Sequence, residues 1–404
     1  MKIKVAMLPG QGSVYVGMGK KLCENYEAAR KTFEEASDAI SCNLKKMCFT
    51  GELSELTKTE NAQPAILTAS VAAFRVLKEN TGFTPHFYAG HSLGEFSALA
   101  CAGAIDFADA VRLVKKRGEL MEAAVKNTEG LMTAIGKLPK DLVTSICGEV
   151  SQSGRVVCVS NYNSVKQNVI SGSKEAVIEA EKIFSSLGAS LKRLNVSAPF
   201  HSPLMLPAAE EFKEILKEYD FREPCAPVLS NVTARPHVLA EIKGNLAKQI
   251  VSPVRWQESM EYLKEQRIRL AVDIGPGKVL RNLMFTNFKN VKALAYDVPD
   301  DAVELEKLII ADKPIPFVSR CMGLAVAVKN LCSDDDNYEE HVVVPYRKLQ
   351  EMQYRIDDEA RTATLEEMNK AKELLAEIFS AKKLSEDEQK QKFERLYIDT
   401  EMET

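Results

Sequence analysis

Residues 87–102 read FYAGHSLGEFSALACA. A short run, Phe87 to Ala89, leads into Gly90-His91-Ser92-Leu93-Gly94, and a series of strong helix formers follows. In a strand–turn–helix with the pattern G-x-S-x-G, the glycines allow a sharp turn that presents the serine hydroxyl at its tip. The N–H of Leu93 then lies at a helix N-terminus, where it can stabilise an oxyanion. The stretch predicts a nucleophile at Ser92, and a plain surface turn is the alternative.

The segments around this turn alternate between strand and helix patterns. Residues 2–13, KIKVAMLPGQGS, predict a buried strand that ends in a Gly/Pro turn. Helical patterning follows over Met18–Ala39, over residues 64–80, which should be buried, and over residues 107–125. We therefore expect an α/β fold with a mainly parallel sheet, whose ligands bind at the carboxyl ends of the strands.

A block of different character interrupts this pattern. Its segments predict the order βαββαβ, which is the arrangement of a ferredoxin-like module. We therefore predict a large α/β-hydrolase-like domain formed by residues 1–126 and 199–300, with a small ferredoxin-like domain at residues 127–198 inserted into it.

The pattern changes again from about Lys313, and residues 313–404 predict a helical C-terminal extension. An apolar helix over residues 317–331 precedes an acidic linker at residues 333–340. Further helices are predicted from Pro345 to about Ala360, and from starts near Thr364 and Ser385, where TLEE and SEDE are capping boxes.

Composition narrows the class of protein. The sequence has no basic leader with an apolar core and no run of eighteen apolar residues, so we expect neither secretion nor a membrane span. The nine cysteines are scattered and never spaced as C-x-x-C, which predicts reduced thiols in a cytoplasm and no zinc site.

Charge is distributed unevenly along the chain. Residues 333–404 carry 20 acidic and 11 basic side chains, whereas the first 332 residues have a net charge of +5. A mildly cationic body suits acidic or phosphorylated partners. The sequence shows no basic patch interleaved with aromatic residues, which argues against nucleic-acid binding.

A serine nucleophile needs a base, and the sequence offers five histidines. His201 follows the last strand of the small module, at a crossing between the two domains, and is the favoured candidate, although a structural role stays open. The other four are less well placed: His86, His91, His237 and His341.

Two further residues each allow two interpretations. Arg117, next to Lys115 and Lys116, lies either on a solvated helix face or in a clamp for a carboxylate, which its planar guanidinium fits well. Gln11, in the first Gly-rich turn, either adds a second backbone N–H to an oxyanion hole or is simply a turn residue.

Nine ordered segments together resemble the malonyl-CoA:acyl carrier protein transacylases, a family that includes the acyltransferase domains of polyketide synthases. The resemblance extends from about Lys2 to about Ala295. The segments are LPGQGSVYVGMG, QPAILTASVA, GHSLGEFSALACAG, KKRGELM, NYNSVKQNVISG, APFHSPLM, SNVTARP, PVRW and IGPGKVL.

The resemblance implies a ping-pong acyl transfer with defined residue roles. Ser92 resembles the nucleophile that takes malonyl from coenzyme A, and His201 the general base. The family orients its histidine with a backbone carbonyl, at the position matched here by Gln249. The backbone N–H groups of Gln11 and Leu93 match the oxyanion hole.

The resemblance also implies the substrate. Arg117 matches the residue that pairs with the free malonyl carboxylate, and Phe200 resembles the bulky residue of malonyl-selective members, which disfavours methylmalonyl. Malonyl-CoA and an acyl carrier protein are the expected partners. No metal or cofactor is implied, because coenzyme A enters as a substrate.

The chain departs from the family in its tail of about 90 residues. Extended, discrete members resemble enzymes that load malonyl in trans onto carrier proteins of polyketide or hybrid peptide–polyketide assembly lines. Residues 313–404 either dock to such a synthase or stabilise the catalytic body. Two other functions stay open: an acyl hydrolase that clears carrier proteins, and a catalytically silent scaffold.

Overall fold

The computed structural model describes residues 3–124, 129–151, 155–196, 198–311, 316–330, 338–359 and 361–400. The chain divides into two compact units, Lys2–Ile310 and Ala311–Thr404. The predicted small domain at residues 127–198 lies within the first unit.

A five-stranded sheet organises the first unit. From one edge to the other, its strands are β7 Val228–Leu229, β2 Phe87–Gly90, β1 Lys4–Leu8, β8 Leu270–Asp273 and β9 Lys292–Ala295. All four neighbouring pairs are parallel. Every residue of β1 and of β8 is buried, because helices cover both faces of such a sheet. The predicted α/β fold with a mainly parallel sheet is thus confirmed.

The helices of this unit carry apolar residues into one large core around the sheet. They are α1 Lys20–Asn25, α2 Glu27–Ala39, α3 Leu44–Thr50, α4 Leu53–Leu56, α5 Thr59–Thr81, α6 Leu93–Cys101, α7 Phe107–Ala123, α8 Lys140–Val150, α9 Lys174–Ser186, α10 Leu206–Ile215, α11 Ile242–Gln249, α12 Trp256–Glu265, α13 Val279–Asn287 and α14 Pro299–Ala311.

The structure corrects two of the helix predictions. The helical pattern over Met18–Ala39 forms two helices, α1 and α2, because the extended backbone of Tyr26 (φ −127°, ψ 131°) interrupts the hydrogen-bond ladder. The helix predicted at residues 64–80 begins five residues earlier, at Thr59, and is buried along most of its length as expected.

The inserted block forms a second, antiparallel sheet. From one edge to the other, its strands are β4 Val157–Ser164, β5 Gln167–Ser173, β3 Gly130–Gly136 and β6 Ser190–Arg193. Its elements follow the predicted order βαββαβ, and α8 and α9 pack on the sheet around Val143, Ile170 and Phe184.

Backbone hydrogen bonds connect this second sheet to the segment that follows α11. The Tyr162 N–H donates to the Val254 carbonyl at 2.9 Å, and the Val254 N–H donates to the Ser160 carbonyl at 2.8 Å. Strand β4 therefore holds the chain just after Gln249 in a fixed position.

The second unit has a hydrophobic core of its own, centred on side chains such as Leu349, Leu375 and Phe379. Thr364 and Glu367 form the predicted capping box, and Ser385 and Glu388 exchange the equivalent hydrogen bonds. Residues 333–337 of the predicted acidic linker lie outside the described residues. The helices are α15 Phe317–Ala327, α16 Val344–Asp358, α17 Leu365–Ala381 and α18 Glu386–Thr400.

None of the helices in the described ranges is long and apolar enough to cross a membrane.

The turn at residues 90–94 depends on two glycines that have no room for a side chain. A Cβ on Gly94 would collide with the Leu8 carbonyl, and a Cβ on Gly90 would collide with the backbone of Gly94. Helix α6 can therefore lie directly against strands β1 and β2.

We expect Gly94→Ala to destabilise the protein by more than about 3 kcal/mol, since the added methyl must push α6 away from β1. Gly148→Ala is the matched control: Gly148 is an exposed helical glycine, and apart from its own helix backbone no neighbouring atom lies within 4 Å of the place that a methyl group would take. Alanine there should stabilise the helix by about 0.5–1 kcal/mol. Urea unfolding measures both, and equal midpoints for the two variants would contradict this account of the turn.

Candidate active site

Ser92 lies at the tip of the turn between β2 and α6, as predicted. Its backbone is in a strained region (φ 53°, ψ −108°), which is unusual for a residue other than glycine. The Asn231 side chain holds this conformation, because its Oδ1 accepts from the Ser92 N–H and its Nδ2 donates to the Gly90 carbonyl, both at 2.6 Å. The Ser92 hydroxyl is therefore fixed at the carboxyl edge of the sheet.

His201 meets Ser92 from the other side of the site. Its Nε2 lies 2.8 Å from the Ser92 Oγ, and its Nδ1 lies 2.8 Å from the Gln249 carbonyl. A carbonyl can only accept, so Nδ1 carries the proton and Nε2 is free to accept the Ser92 hydroxyl proton. The Gln249 carbonyl thus occupies the position that the family resemblance predicts for it.

The imidazole is held neutral by its surroundings. Burial, together with the nearby positive charge of Arg117, lowers the pKa of His201 to about 3. A lowered pKa favours the unprotonated ring, which is the form that acts as a base.

Arg117 is buried, with 1% of its surface exposed, although it follows two solvent-facing lysines on α7. Its Nη2 donates to the Gln249 Oε1 at 2.8 Å and to the Ser92 Oγ at 3.3 Å, and its Nη1 donates to the Gln63 Oε1 at 2.8 Å. Burial lowers the pKa of Arg117 to about 10, which still leaves the guanidinium charged at neutral pH. The solvated-face interpretation is therefore wrong.

The Arg117 guanidinium also contacts the ring of Phe96, whose centroid lies 5.3 Å from the guanidinium carbon. Its Nε has no hydrogen-bond partner among the described residues. A buried cation with an unused donor, next to a serine hydroxyl, suits a substrate that carries a carboxylate.

The backbone N–H groups of Gln11 and Leu93 lie on two adjoining turns. Leu93 is the first residue of α6, and Gln11 begins a 3₁₀ turn just after β1. The turns touch at Gly10, where a Cβ would lie 2.6 Å from the His91 carbonyl. Neither N–H donates a hydrogen bond within the described part of the chain, so both are free to bind an oxyanion.

Phe200 precedes His201 and is buried in the main core, with 6% of its surface exposed. Its contact with an acyl group stays a prediction.

The other histidines engage in contacts away from the Ser92 hydroxyl. The ring of His91 points to the Asn163 Oδ1, at 2.8 Å, and the ring of His237 to the Glu95 Oε1, at 2.7 Å. His86 accepts from a backbone N–H at 3.1 Å, and His341 lies 3.1 Å from a glutamate in the second unit. The elimination that favoured His201 agrees with this geometry.

Cys158 is another possible nucleophile near the base. Its Sγ lies 3.8 Å from the His201 carbonyl. Burial raises the pKa of this thiol to about 12, so it stays protonated and unreactive at neutral pH.

Sequence reasoning missed four polar residues that complete the site. Glu95, Gln63, Asn231 and His237 contribute buried hydrogen bonds around Ser92, Arg117 and Gln249. Of these four, only Glu95 could have been noticed from a local sequence pattern, because Ser92-Leu93-Gly94-Glu95 has the spacing of a capping box. The other three come from distant segments.

The sequence of this chain is similar to those of known acyl transferases. The family model described as the acyl transferase domain matches residues 6–303. A malonyl CoA-acyl carrier protein transacylase of Bacillus subtilis is 38% identical over 391 residues, which cover 95% of this chain and 97% of that protein. Another of that name, from Bacillus subtilis strain 168, is 44% identical over 302 residues, 74% of this chain and 94% of that protein.

Solved structures agree with these relatives. The malonyl CoA-acyl carrier protein transacylase of Coxiella burnetii has a TM-score of 0.74 and 38% identity, covering 77% of this chain and 99% of that one. A malonyl-transacylase solved in complex with its type II PKS acyl-carrier protein has a TM-score of 0.73 and 40% identity, covering 76% of this chain and 99% of that one.

The lowered pKa of His201 has a measurable consequence. Labelling of Ser92 by a sulfonyl fluoride should proceed at a nearly constant rate from pH 8 to pH 5, because the imidazole stays neutral above its pKa of about 3. A histidine with the ordinary pKa of 6.5 would lose about 30-fold in rate over that interval. Intact-mass spectrometry measures the labelling, with His201→Ala as the slow control, and an inflection near pH 6.5 would contradict the assignment.

Proposed function

The chain belongs to the malonyl-CoA:acyl carrier protein transacylase family of acyl transferases, and we propose that it transfers malonyl from malonyl-CoA to the phosphopantetheine thiol of an acyl carrier protein. One observation carries the proposal: the Ser92 Oγ lies 2.8 Å from the His201 Nε2 and 3.3 Å from the buried Arg117 guanidinium. A nucleophile, its base and a carboxylate-binding cation thus share one site.

The first half-reaction acylates the serine. Ser92 Oγ attacks the thioester carbonyl while His201 Nε2 takes its proton, and the N–H groups of Gln11 and Leu93 stabilise the oxyanion. The carbon–sulfur bond then breaks, and the leaving thiolate of coenzyme A takes the proton from His201. The Gln249 carbonyl keeps the imidazolium oriented during both proton transfers.

The second half-reaction reverses these steps with a different thiol. The phosphopantetheine thiol gives its proton to His201 and attacks the malonyl ester of Ser92 through its sulfur. When the tetrahedral intermediate collapses, the carbon–oxygen bond breaks and Ser92 recovers its proton. These steps call for no metal or cofactor, since coenzyme A enters as part of the substrate and leaves as a free thiol.

Arg117 provides the selectivity for malonyl. The free carboxylate of malonyl can pair with the guanidinium, whereas an acetyl group leaves that buried charge without an anionic partner. Pairing also offsets the positive charge that lowers the pKa of His201, so the bound malonyl group makes the base stronger.

Phe200 is proposed to limit the size of the acyl group. Its bulk beside His201 disfavours methylmalonyl, although a single methyl group is worth only about 1–3 kcal/mol of discrimination. We therefore expect a preference for malonyl that is clear but incomplete.

The finer context is also a proposal. We infer that the enzyme is cytoplasmic and acts in trans for a polyketide or hybrid peptide–polyketide synthase, with residues 313–404 as the region that engages the synthase. The separate core of the second unit supports an independent role for this extension. We further infer an α/β-hydrolase-like large domain and a ferredoxin-like insertion, which the order β4-β5-β3-β6 supports.

The direct test is intact-mass spectrometry after incubation with malonyl-CoA, acetyl-CoA and methylmalonyl-CoA in parallel, followed by a phosphopantetheinylated carrier protein. We expect a malonyl adduct that moves to the carrier and is absent from Ser92→Ala. Arg117→Ala should lower kcat/KM for malonyl transfer by about 100-fold, or about 2.7 kcal/mol, and affect acetyl transfer far less.

Other outcomes each exclude part of the proposal. Malonyl labelling that persists in Ser92→Ala would identify another nucleophile. Equal losses of malonyl and acetyl transfer in Arg117→Ala would remove the carboxylate clamp. Carrier proteins that are emptied of acyl groups without any malonyl adduct would favour the hydrolase, and no reaction at all would favour the scaffold.

Deletion of residues 313–404 tests the role of the extension. Some relatives and solved structures match about three quarters of this chain, and the match covers nearly all of their own length. We therefore expect the truncated enzyme to be soluble. Its transfer rate to a free carrier protein should stay within a factor of about 3 of the full-length rate. Insoluble or inactive protein would show instead that the extension stabilises the catalytic body.

A further inference from the structure

Glu95 is fully buried in the first turn of α6, three residues after Ser92. The spacing S-x-x-E predicts a capping box, in which the glutamate would accept from the Ser92 N–H. The structure differs: the Ser92 N–H donates to Asn231, and the Ser92 side chain makes no cap hydrogen bond. Glu95 is therefore not explained as a helix cap.

Its carboxylate instead accepts three hydrogen bonds from three other places in the chain. Oε2 accepts from the Asn231 N–H at 3.0 Å and from the Gln249 Nε2 at 2.7 Å, and Oε1 accepts from the His237 Nε2 at 2.7 Å. The side chains of Glu95 and His237 are both 0% exposed. A buried carboxylate that is bonded so fully fixes the positions of its donors.

Two of these donors, Asn231 and Gln249, also bond the groups that are proposed to react. The Asn231 side chain holds the strained backbone of Ser92. Gln249 holds His201 through its carbonyl and Arg117 through its Oε1, and its Nε2 also donates to the Ser92 carbonyl at 3.0 Å. One carboxylate thus connects to the nucleophile, the base and the acyl-binding cation.

We propose that Glu95, supported by His237, is the positioning carboxylate of this site and acts through Gln249 and Asn231 instead of touching the histidine directly. In a Ser–His–Asp triad the acid contacts the Nδ1 of the base. Here the Gln249 carbonyl contacts the Nδ1 of His201. The Glu95 carboxylate accepts from the Gln249 side chain instead of contacting the imidazole. The part of this inference that concerns substrate selectivity rests on the proposed malonyl transfer.

The decisive variant is Glu95→Gln, with Glu181→Gln as its matched control. Glu181 is also a buried carboxylate, and it bonds Thr133 and Arg193 on the second sheet, away from Ser92. We expect Glu95→Gln to lower kcat for malonyl and acetyl transfer alike, by about 10- to 100-fold, because small displacements of reacting groups are costly. KM should rise for malonyl-CoA only. Glu181→Gln should lower the melting temperature and leave kcat unchanged.

A folded Glu95→Gln enzyme with the wild-type kcat for both donors would overturn the proposal. So would an equal loss of activity in Glu181→Gln, which would indicate general destabilisation. A double variant tests whether Glu95 acts through Gln249. In a Gln249→Ala background, Glu95→Gln should lower kcat much less than it does in the wild type, and an unchanged loss of kcat would refute action through Gln249.

If Glu95→Gln does not fold, His237 provides a second test. His237→Gln keeps a donor for the Glu95 Oε1 and should retain most of the rate, whereas His237→Leu removes it and should lower kcat. Equal rates for these two variants would overturn the supporting role of His237.

The rate of Ser92 labelling by a sulfonyl fluoride separates this inference from the proposed function, since it requires no acyl donor. A wild-type enzyme that labels but does not transfer malonyl would refute the function alone. Labelling that is equally fast in wild type and in folded Glu95→Gln would refute the positioning role alone.

Discussion

The close approach of helix α6 to strands β1 and β2 is the constraint on which the rest of the site depends. It is possible only because Gly90 and Gly94 lack side chains where neighbouring backbone atoms intrude. The turn between them forces Ser92 to a φ of 53°, and so places its hydroxyl at the carboxyl edge of a parallel sheet. The Gln11 turn and the Asn231 loop then reach the same edge, because β1 and β7 are the neighbours of β2.

Burial of a positive charge next to the nucleophile is the second determining feature. Arg117 has no carboxylate in direct hydrogen-bond contact among the described residues; two glutamine oxygens and the Ser92 hydroxyl accept its bonds. The same charge lowers the pKa of His201, so the cation and the base influence each other through the low-dielectric interior. The proposed selection of malonyl and the strength of the base would therefore both depend on one electrostatic arrangement.

The C-terminal extension forms a compact unit separate from the catalytic unit. Its helices have an apolar core of their own, and the capping box at Thr364 is the one that its sequence pattern predicted. A relative of 38% identity matches this chain nearly throughout, whereas several solved transacylases correspond to about three quarters of it. The family thus includes members with and without such a region, and the catalytic geometry described above lies entirely in the shared part.

The sequence by itself determined the local features of this protein. The glycines around Ser92, the strand and helix order of the inserted sheet and the caps at Thr364 and Ser385 each depend on a few adjacent residues, whose backbone preferences are fixed by sterics and hydrogen bonding. Elimination reached His201, but the Gln249 carbonyl and the orientation of Arg117 came only from the family resemblance. Tertiary structure alone decided the contacts of Glu95 with Asn231, His237 and Gln249, which are 136 to 154 residues away. Which buried polar groups meet depends on strand register and helix packing across the whole unit, and a local pattern does not contain that information.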